Sequence, residues 1–286
     1  MTSRTRTLAA LAVVVPALAI PATAGATTLI GSGSSAEQPI LTALFSAYQK
    51  VQPSVKFIFT ADGGNAGAKD VQQGRSEFAI NTRAPLPTDS GLTYIKVFKD
   101  GLCLDVNPAN KLTNLTTSQA ADIFLGDYSS WSSLAGSGLT TTIAPFGRSS
   151  SAGSYTFFQS VILNGQTQAS NVAQEDTDGE VAVAVKNNPA GIGYVGLAHS
   201  GKGSGVKVLT LNGVSCSPAN IKSSAYLLSR YIWFVVPTAS PNKTALAFAT
   251  WIRTKNAAAV INAAGAVASY ENKNPTTKKK KKKKKE

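Results

Sequence analysis

Leu29-Ile30-Gly31-Ser32-Gly33-Ser34-Ser35 starts as an apolar strand and empties into a Gly/Ser turn, and the helical spacing of Leu41, Leu44, Phe45 and Tyr48 follows at once. The same grammar returns at residues 57–67 and 143–154, where the last turn reads Gly147-Arg148-Ser149-Ser150-Ser151-Ala152-Gly153-Ser154. Each strand, turn and helix of this kind is half of a βα unit. The first N–H groups of a helix have no partner within it, and the macrodipole places roughly half a positive charge there, so such a turn is a potential socket for an oxyanion. A single Gly/Ser turn is ordinary helix capping. Three of them, one carrying a guanidinium, point to a receptor for a small anion.

Working outward, strand-like and helix-like segments alternate. Val55 to Thr60 and Phe78-Ala79-Ile80 read as strands flanking a short helix, and residues 97–106 form a longer extended run before Asn107-Pro108. Residues 117–124 open with Thr/Ser caps as a helix, residues 153–163 form another, and an Ala/Val helix ends at Asn187-Asn188-Pro189 before the strand Gly191-Ile192-Gly193-Tyr194-Val195. Residues 206–211 and 231–236 are strand-like, and 244–264 reads as one apolar helix. Such alternation predicts an α/β fold with mainly parallel sheets.

The bulk properties narrow the function. The chain has 286 residues, enough for one large domain or two lobes with sizeable cores. Arg4 and Arg6, the apolar stretch to Ile20 and the small residues up to Ala26 have the three-part layout of a secretory leader over 1–26, so an exported protein (periplasm, cell surface or secreted) is expected. No cysteine lies near the cleavage site to carry a lipid. The formal charge of +13 is concentrated in Lys278 to Lys285; without that run, Glu286, Arg4 and Arg6, 18 basic side chains face 14 acidic ones. A tail over 275–286 with nothing apolar to bury is expected to stay disordered, as an electrostatic tether to anionic lipid or wall polymer or as a mere solubilising extension. The body has no basic patch interleaved with aromatics, so nucleic acid is not an expected partner. Cys103 and Cys216, alone in an exported chain, are expected to form a disulfide, with two buried thiols as the alternative. One histidine, no metal-ligand cluster and no nucleophile dyad leave neither a metal, a cofactor nor an enzyme expected. His199 is expected in a loop, and Trp131 and Tyr194 in the core.

Taken together, Ile30 to Ser35, Asn114-Leu115-Thr116 through Asp122-Ile123-Phe124-Leu125-Gly126 to Trp131, Gly147-Arg148 to Ser154, and Asn188-Pro189-Ala190-Gly191-Ile192-Gly193-Tyr194-Val195 resemble the phosphate-binding, type II periplasmic solute-binding proteins of ABC transporters. The resemblance runs over residues 29–264. It implies two lobes, 27–99 plus 227–274 and 100–226, with crossing strands near 97–104 and 228–233, and an unhydrated oxyanion held in the cleft for an ABC permease by a monomeric receptor. Position by position it implies a hydroxyl contact from Ser35, amides of Ala36 and Gly64 with Asn65 beside them, the gripping Arg148, and donors from Gly153 and Ser154. Ala152 stands where the family uses a serine, and Gly64 where it has another. The family's phosphate receptors carry an aspartate that accepts the anion's proton; here that region reads Asn81-Thr82-Arg83. Three outcomes follow: Asp62 supplies the acceptor from an adjacent turn, Arg83 favours a more highly charged oxyanion, or the cleft has lost its ligand.

Two rival readings remain. Gly31-Ser32-Gly33-Ser34-Ser35-Ala36 fits a G-x-G-x-x-A dinucleotide fingerprint, with Asp62 further along than the usual ~20 residues. A secreted, charge-anchored scaffold, sensor or adhesin that keeps the fold without transport is the other.

Overall fold

The computed structural model describes residues 26–269, so nearly all of the expected leader and the whole lysine run lie outside the described residues. The chain opens with β1 (Thr27–Gly33), a 3-10 turn at Ser35–Glu37, α1 (Gln38–Val51), β2 (Val55–Thr60), α2 (Gly64–Gln72) and β3 (Phe78–Asn81). A fifteen-residue strand, β4 (Leu92–Val106), then leads out of this first set. Beyond it come β5 (Asn114–Leu115), α3 (Thr117–Leu125), β6 (Ala144–Arg148), α4 (Gly153–Val161), β7 (Ala173–Glu175), α5 (Asp178–Asn187), β8 (Gly191–Gly196), β9 (Lys207–Val208), β10 (Thr210–Leu211) and α6 (Pro218–Ser223). The chain returns through β11 (Ser229–Pro237) and ends in α7 (Lys243–Ile252), α8 (Lys255–Ala263) and β12 (Val267–Ala268).

The main sheet runs β2-β1-β3-β11-β4-β8-β6-β7. Strands linked through a helix pair in parallel, β1 with β2 and β3, and β6 with β7 and β8, as crossover connections require. The middle of the sheet is antiparallel: β11 pairs with β3 and β4, and β4 with β8. The sheet is therefore mixed, parallel at both flanks and antiparallel where they join. β4 makes the join, because Leu92 to Gly101 pair with β11 while Leu102 to Val106 pair with β8.

Two large apolar cores flank this junction. One gathers Leu29, Leu41, Phe78, Phe234 and Phe248, with Phe78 and Phe234 stacked at 4.9 Å; the other gathers Leu104, Phe124, Trp131, Phe158 and Tyr194, with Phe158 and Tyr194 stacked at 4.1 Å. Trp131 and Tyr194 are core residues, as expected, each fully buried with its polar atom used: Trp131 Nε1 donates to the Ala190 carbonyl at 2.9 Å, and Tyr194 Oη donates to Gln168 at 3.2 Å. Cys103 and Cys216 form a disulfide that closes a 113-residue separation within the second core.

One helix differs from the sequence expectation. The apolar run 244–264 is two helices, α7 and α8, because Arg253 ends the first and Thr254 turns extended, at φ −91° and ψ 165°, before the second. Continuous apolarity hid a break that lets both helices pack on the first core.

Asp105 in β4 is fully buried, with Oδ1 accepting from Ser200 Oγ at 2.8 Å and Oδ2 without a partner. Burial pushes its carboxyl up to about 7, against the opposing pull of the Ser200 hydrogen bond. A carboxyl whose folded pKa exceeds its ordinary 3.8 binds its proton more tightly when folded, so the stability it contributes is full below that value and is lost as pH rises through about 7. Asp105→Asn is expected to flatten the pH dependence across this window and to raise the melting temperature above neutrality; thermal melts over the same range check it.

Candidate functional site

Arg148 is the last residue of β6, and its backbone is fixed from both sides: its N–H donates to Tyr194 Oη at 3.0 Å and its carbonyl accepts from Gln168 Nε2 at 3.1 Å. The guanidinium is only 1% exposed. Nε donates to the Glu175 carbonyl at 3.0 Å, Nη2 to the Asp176 carbonyl at 2.6 Å, and Nη1 to Ser35 Oγ at 2.8 Å and to the carboxylate of Asp178. Asp178 opens α5 behind a Thr177/Glu180 capping box, accepts from Gly196 N–H at 3.0 Å and from Ser35 Oγ at 3.2 Å, and is fully buried. The sequence-predicted pair Ser35 and Arg148 is thus brought together. The charge of Arg148 is matched by a carboxylate thirty residues away.

A second guanidinium, not anticipated from the sequence, lies on the crossing strands. Arg230 in β11 is the direct register partner of Asp100 in β4. Its Nη2 meets Asp100 Oδ2 at 3.1 Å and stands 3.8 Å from Glu37 Oε1, while Nη1 donates to Ser154 Oγ at 3.0 Å and Nε finds no partner. Glu37 is completely buried with neither oxygen hydrogen-bonded. Burial, then the charge of Asp100, holds its carboxyl well above the usual carboxylate range, with Arg230 opposing. Arg148 is paired with Asp178 and Arg230 with Asp100. With both guanidinium groups matched by carboxylates, peptide dipoles are the remaining attraction for an anion.

Those dipoles come from α2 and α4. The helices α3, α5, α6 and α7 each carry a side-chain cap, from Thr116, Thr177, Ser217 and Asn242, whereas α2 and α4, like α1 and α8, have none. Their first residues, Gly64 and Gly153, converge: a Cβ added at either would fall 2.5 Å from Asn81 Oδ1, and at Gly153 also 2.6 Å from Thr82 Oγ1. Only glycine lets the two helix starts approach Asn81 this closely. Thr82 is fully buried and its hydroxyl has no partner among the described residues. Asn65 fastens the two turns to each other, its Nδ2 donating to the Ser150 carbonyl at 2.9 Å and to Thr156 Oγ1 at 2.8 Å. The backbone N–H groups of Asn65 and Ala66 both reach the Ser151 carbonyl, at 3.0 and 3.2 Å. Part of the α2 socket is therefore taken by the facing turn. Ala36 is buried on the 3-10 turn; His199 sits in the short 3-10 segment Leu197–His199 with Nε2 3.1 Å from the Ser35 carbonyl.

Asp62 and Arg83 are held by partners of their own. Asp62 Oδ1 accepts from Gly33 N–H at 3.1 Å, and burial followed by the nearby Asp70 pushes its carboxyl up to about 6. Arg83 is committed to Asp89 at 2.6 Å, to Asn65 Oδ1 at 2.5 Å and to the Ala84 carbonyl at 2.8 Å. Glu37, Asp100, Asp178 and Arg230 were not singled out in the sequence. The Thr-Asp-Gly-Glu capping box marked a helix start at Asp178, but no local signal tied it to Arg148.

Among the described residues no helix is long and apolar enough to cross a membrane, and no cluster of His, Cys, Asp and Glu suited to a metal occurs. Comparison with known proteins gives a consistent picture. The "Phosphate-binding protein PstS" of Borreliella burgdorferi is 26% identical over 230 residues, which covers 76% of this chain and 81% of that protein. Two solved structures share the two-lobed fold at 22% identity. One is a phosphate ABC transporter substrate-binding protein from Clostridium perfringens with bound phosphate (TM-score 0.80, 85% of this chain and 99% of that one); the other is an ABC-type phosphate transport receptor from Vibrio cholerae (TM-score 0.68, 84% and 99%). A family model described as PBP superfamily domain matches residues 20–256, and the protein belongs to that superfamily.

Proposed function

We propose that the protein is an exported receptor that captures phosphate, or an oxyanion like it, between its lobes and presents it to an ABC permease. The observation that carries this reading is the meeting of two helix starts without side-chain caps, at Gly64 and Gly153, beside the Thr82 hydroxyl, which has no partner among the described residues. A buried hydroxyl without an acceptor is costly unless something accepts from it, and helix starts favour an anion. A tetrahedral oxyanion offers several acceptors at once, and it gains contacts from both lobes only when they close. Ser35, Ala36 and Gly64 on one side, and Arg148, Gly153 and Ser154 on the other, form the proposed donor set. Residues 27–99 plus 227–274 and 100–226 are the proposed moving bodies, and the crossing strands bend where β4 changes partner after Gly101. Relatives named for phosphate binding support capture rather than catalysis, and nothing in the comparisons supports the scaffold alternative. The leader directs export, and the lysine run serves as a tether to anionic surfaces.

Gly153→Ala tests the site. The added methyl would crowd buried Asn81 and Thr82, an overpacking that costs about 1–3 kcal/mol of stability, so the unfolding midpoint without phosphate is expected to fall. Because the same atoms border the site, titration calorimetry on the folded variant is expected to show phosphate affinity lowered at least about fivefold. Unchanged phosphate affinity in this variant, or no phosphate binding by the parent protein, overturns the reading.

A further inference from the structure

A cavity of about 380 Å³ opens beside the buried cluster, between the segment after β3, α4 and β11. It shares two wall residues with the cluster, Thr82 and Arg230, and each of these keeps one buried polar atom without a partner, Oγ1 and Nε. Arg83 and the hydroxyl residues Thr156, Ser160 and Ser229 also line it, and the remaining wall is mainly apolar and aromatic. Leu86, Phe157, Tyr231 and Trp233 line it, Arg230 lies 5.8 Å from the Phe157 ring centre, and the Tyr231 and Trp233 rings meet at 6.3 Å in an edge arrangement. The Lys96 ammonium sits over both, 4.2 Å from the Tyr231 centroid and 5.2 Å from that of Trp233.

A bare tetrahedral anion of five heavy atoms would leave such a space almost empty, since pockets of a few hundred Å³ suit small organic molecules. The walls instead offer both polar donors and aromatic faces. We infer that the ligand is an organic phosphate monoester, with its phosphoryl oxygens on the donor cluster and its organic group against Phe157, Tyr231 and Trp233. The ester oxygen passes between Thr82 and Arg230. This rests on the proposed capture of a phosphoryl anion and adds the substrate class. Aromatic faces favour a planar or apolar substituent, and the nearby Lys96 keeps this end of the cleft positive toward an anionic solute.

Titration calorimetry on the mature full chain with inorganic phosphate and with phenyl phosphate decides it. Phenyl phosphate is expected to bind about tenfold tighter than inorganic phosphate, the gain for burying part of one ring. Trp233→Ala should remove most of that gain and leave inorganic phosphate within about twofold. Leu86→Trp, at an exposed position where folding is not at stake, should narrow the cavity and weaken phenyl phosphate alone. Phosphate binding with no gain for the ester, or a gain untouched by both variants, overturns the inference and leaves the receptor reading intact. Binding of neither compound overturns both.

Discussion

Asp178→Ala is expected to destabilise the protein by about 3–5 kcal/mol, because removing one member of a buried ion pair leaves the other charge uncompensated. Arg148 is 1% exposed and has no route to water, and Ser35 and the Gly196 amide lose the same acceptor. The carboxylate now fills a place that an oxyanion could take, held by a guanidinium, a hydroxyl and an amide. Phosphate is therefore expected to raise the midpoint of the variant more than that of the parent, since a ligand that binds only the folded state stabilises by mass action. Urea unfolding with and without phosphate measures both effects. A loss below about 1 kcal/mol would mean that Arg148 does not depend on Asp178, a result at odds with the burial of the pair.

Replacing Cys103 and Cys216 together by serine has a comparable expected effect by a different route. The bridge closes a 113-residue separation, and the chain-entropy model assigns such a loop about 4–5 kcal/mol, acting mainly on the unfolded ensemble. Both sulfurs lie in the second core, on β4 just past its change of partner and just before α6. The loop so constrained contains β6, α4 and α5, and with them Arg148, Gly153 and Asp178. Comparison of urea midpoints for the parent, the parent with reductant and the double variant gives the figure. Midpoints that agree would show that the bridge adds nothing to stability.

The sequence showed which segments carry donors but not what those donors face. Ser35, Gly64, Arg148, Gly153 and Ser154 stand out because a Gly/Ser turn between a strand and a helix is a local pattern with a local cause, and the structure places them at helix starts or strand ends around one region. Asp178 and Arg230 carry no such mark. An acidic residue in the first helical turn and an arginine beginning a strand are both ordinary on a surface, and the same letters would be written for solvated side chains. The partners of Asp62 and Arg83, Gly33 and Asp89, were hidden for the same reason: they are fixed by turns whose course a linear pattern does not give.

The α/β alternation and the glycine turns were legible in the sequence alone, because apolar periodicity, backbone freedom and helix polarity act over a few neighbouring residues, whereas the choice between a disulfide and two buried thiols needed the approach of residues 113 apart. Only the tertiary structure decided that Arg230 would face Asp100 across β11 and β4, that Arg148 would be neutralised by Asp178, and that Gly64 and Gly153 would close on Asn81. Burial turns a charge that water would tolerate into one that must be paired, and burial is a property of how distant strands and helices stack.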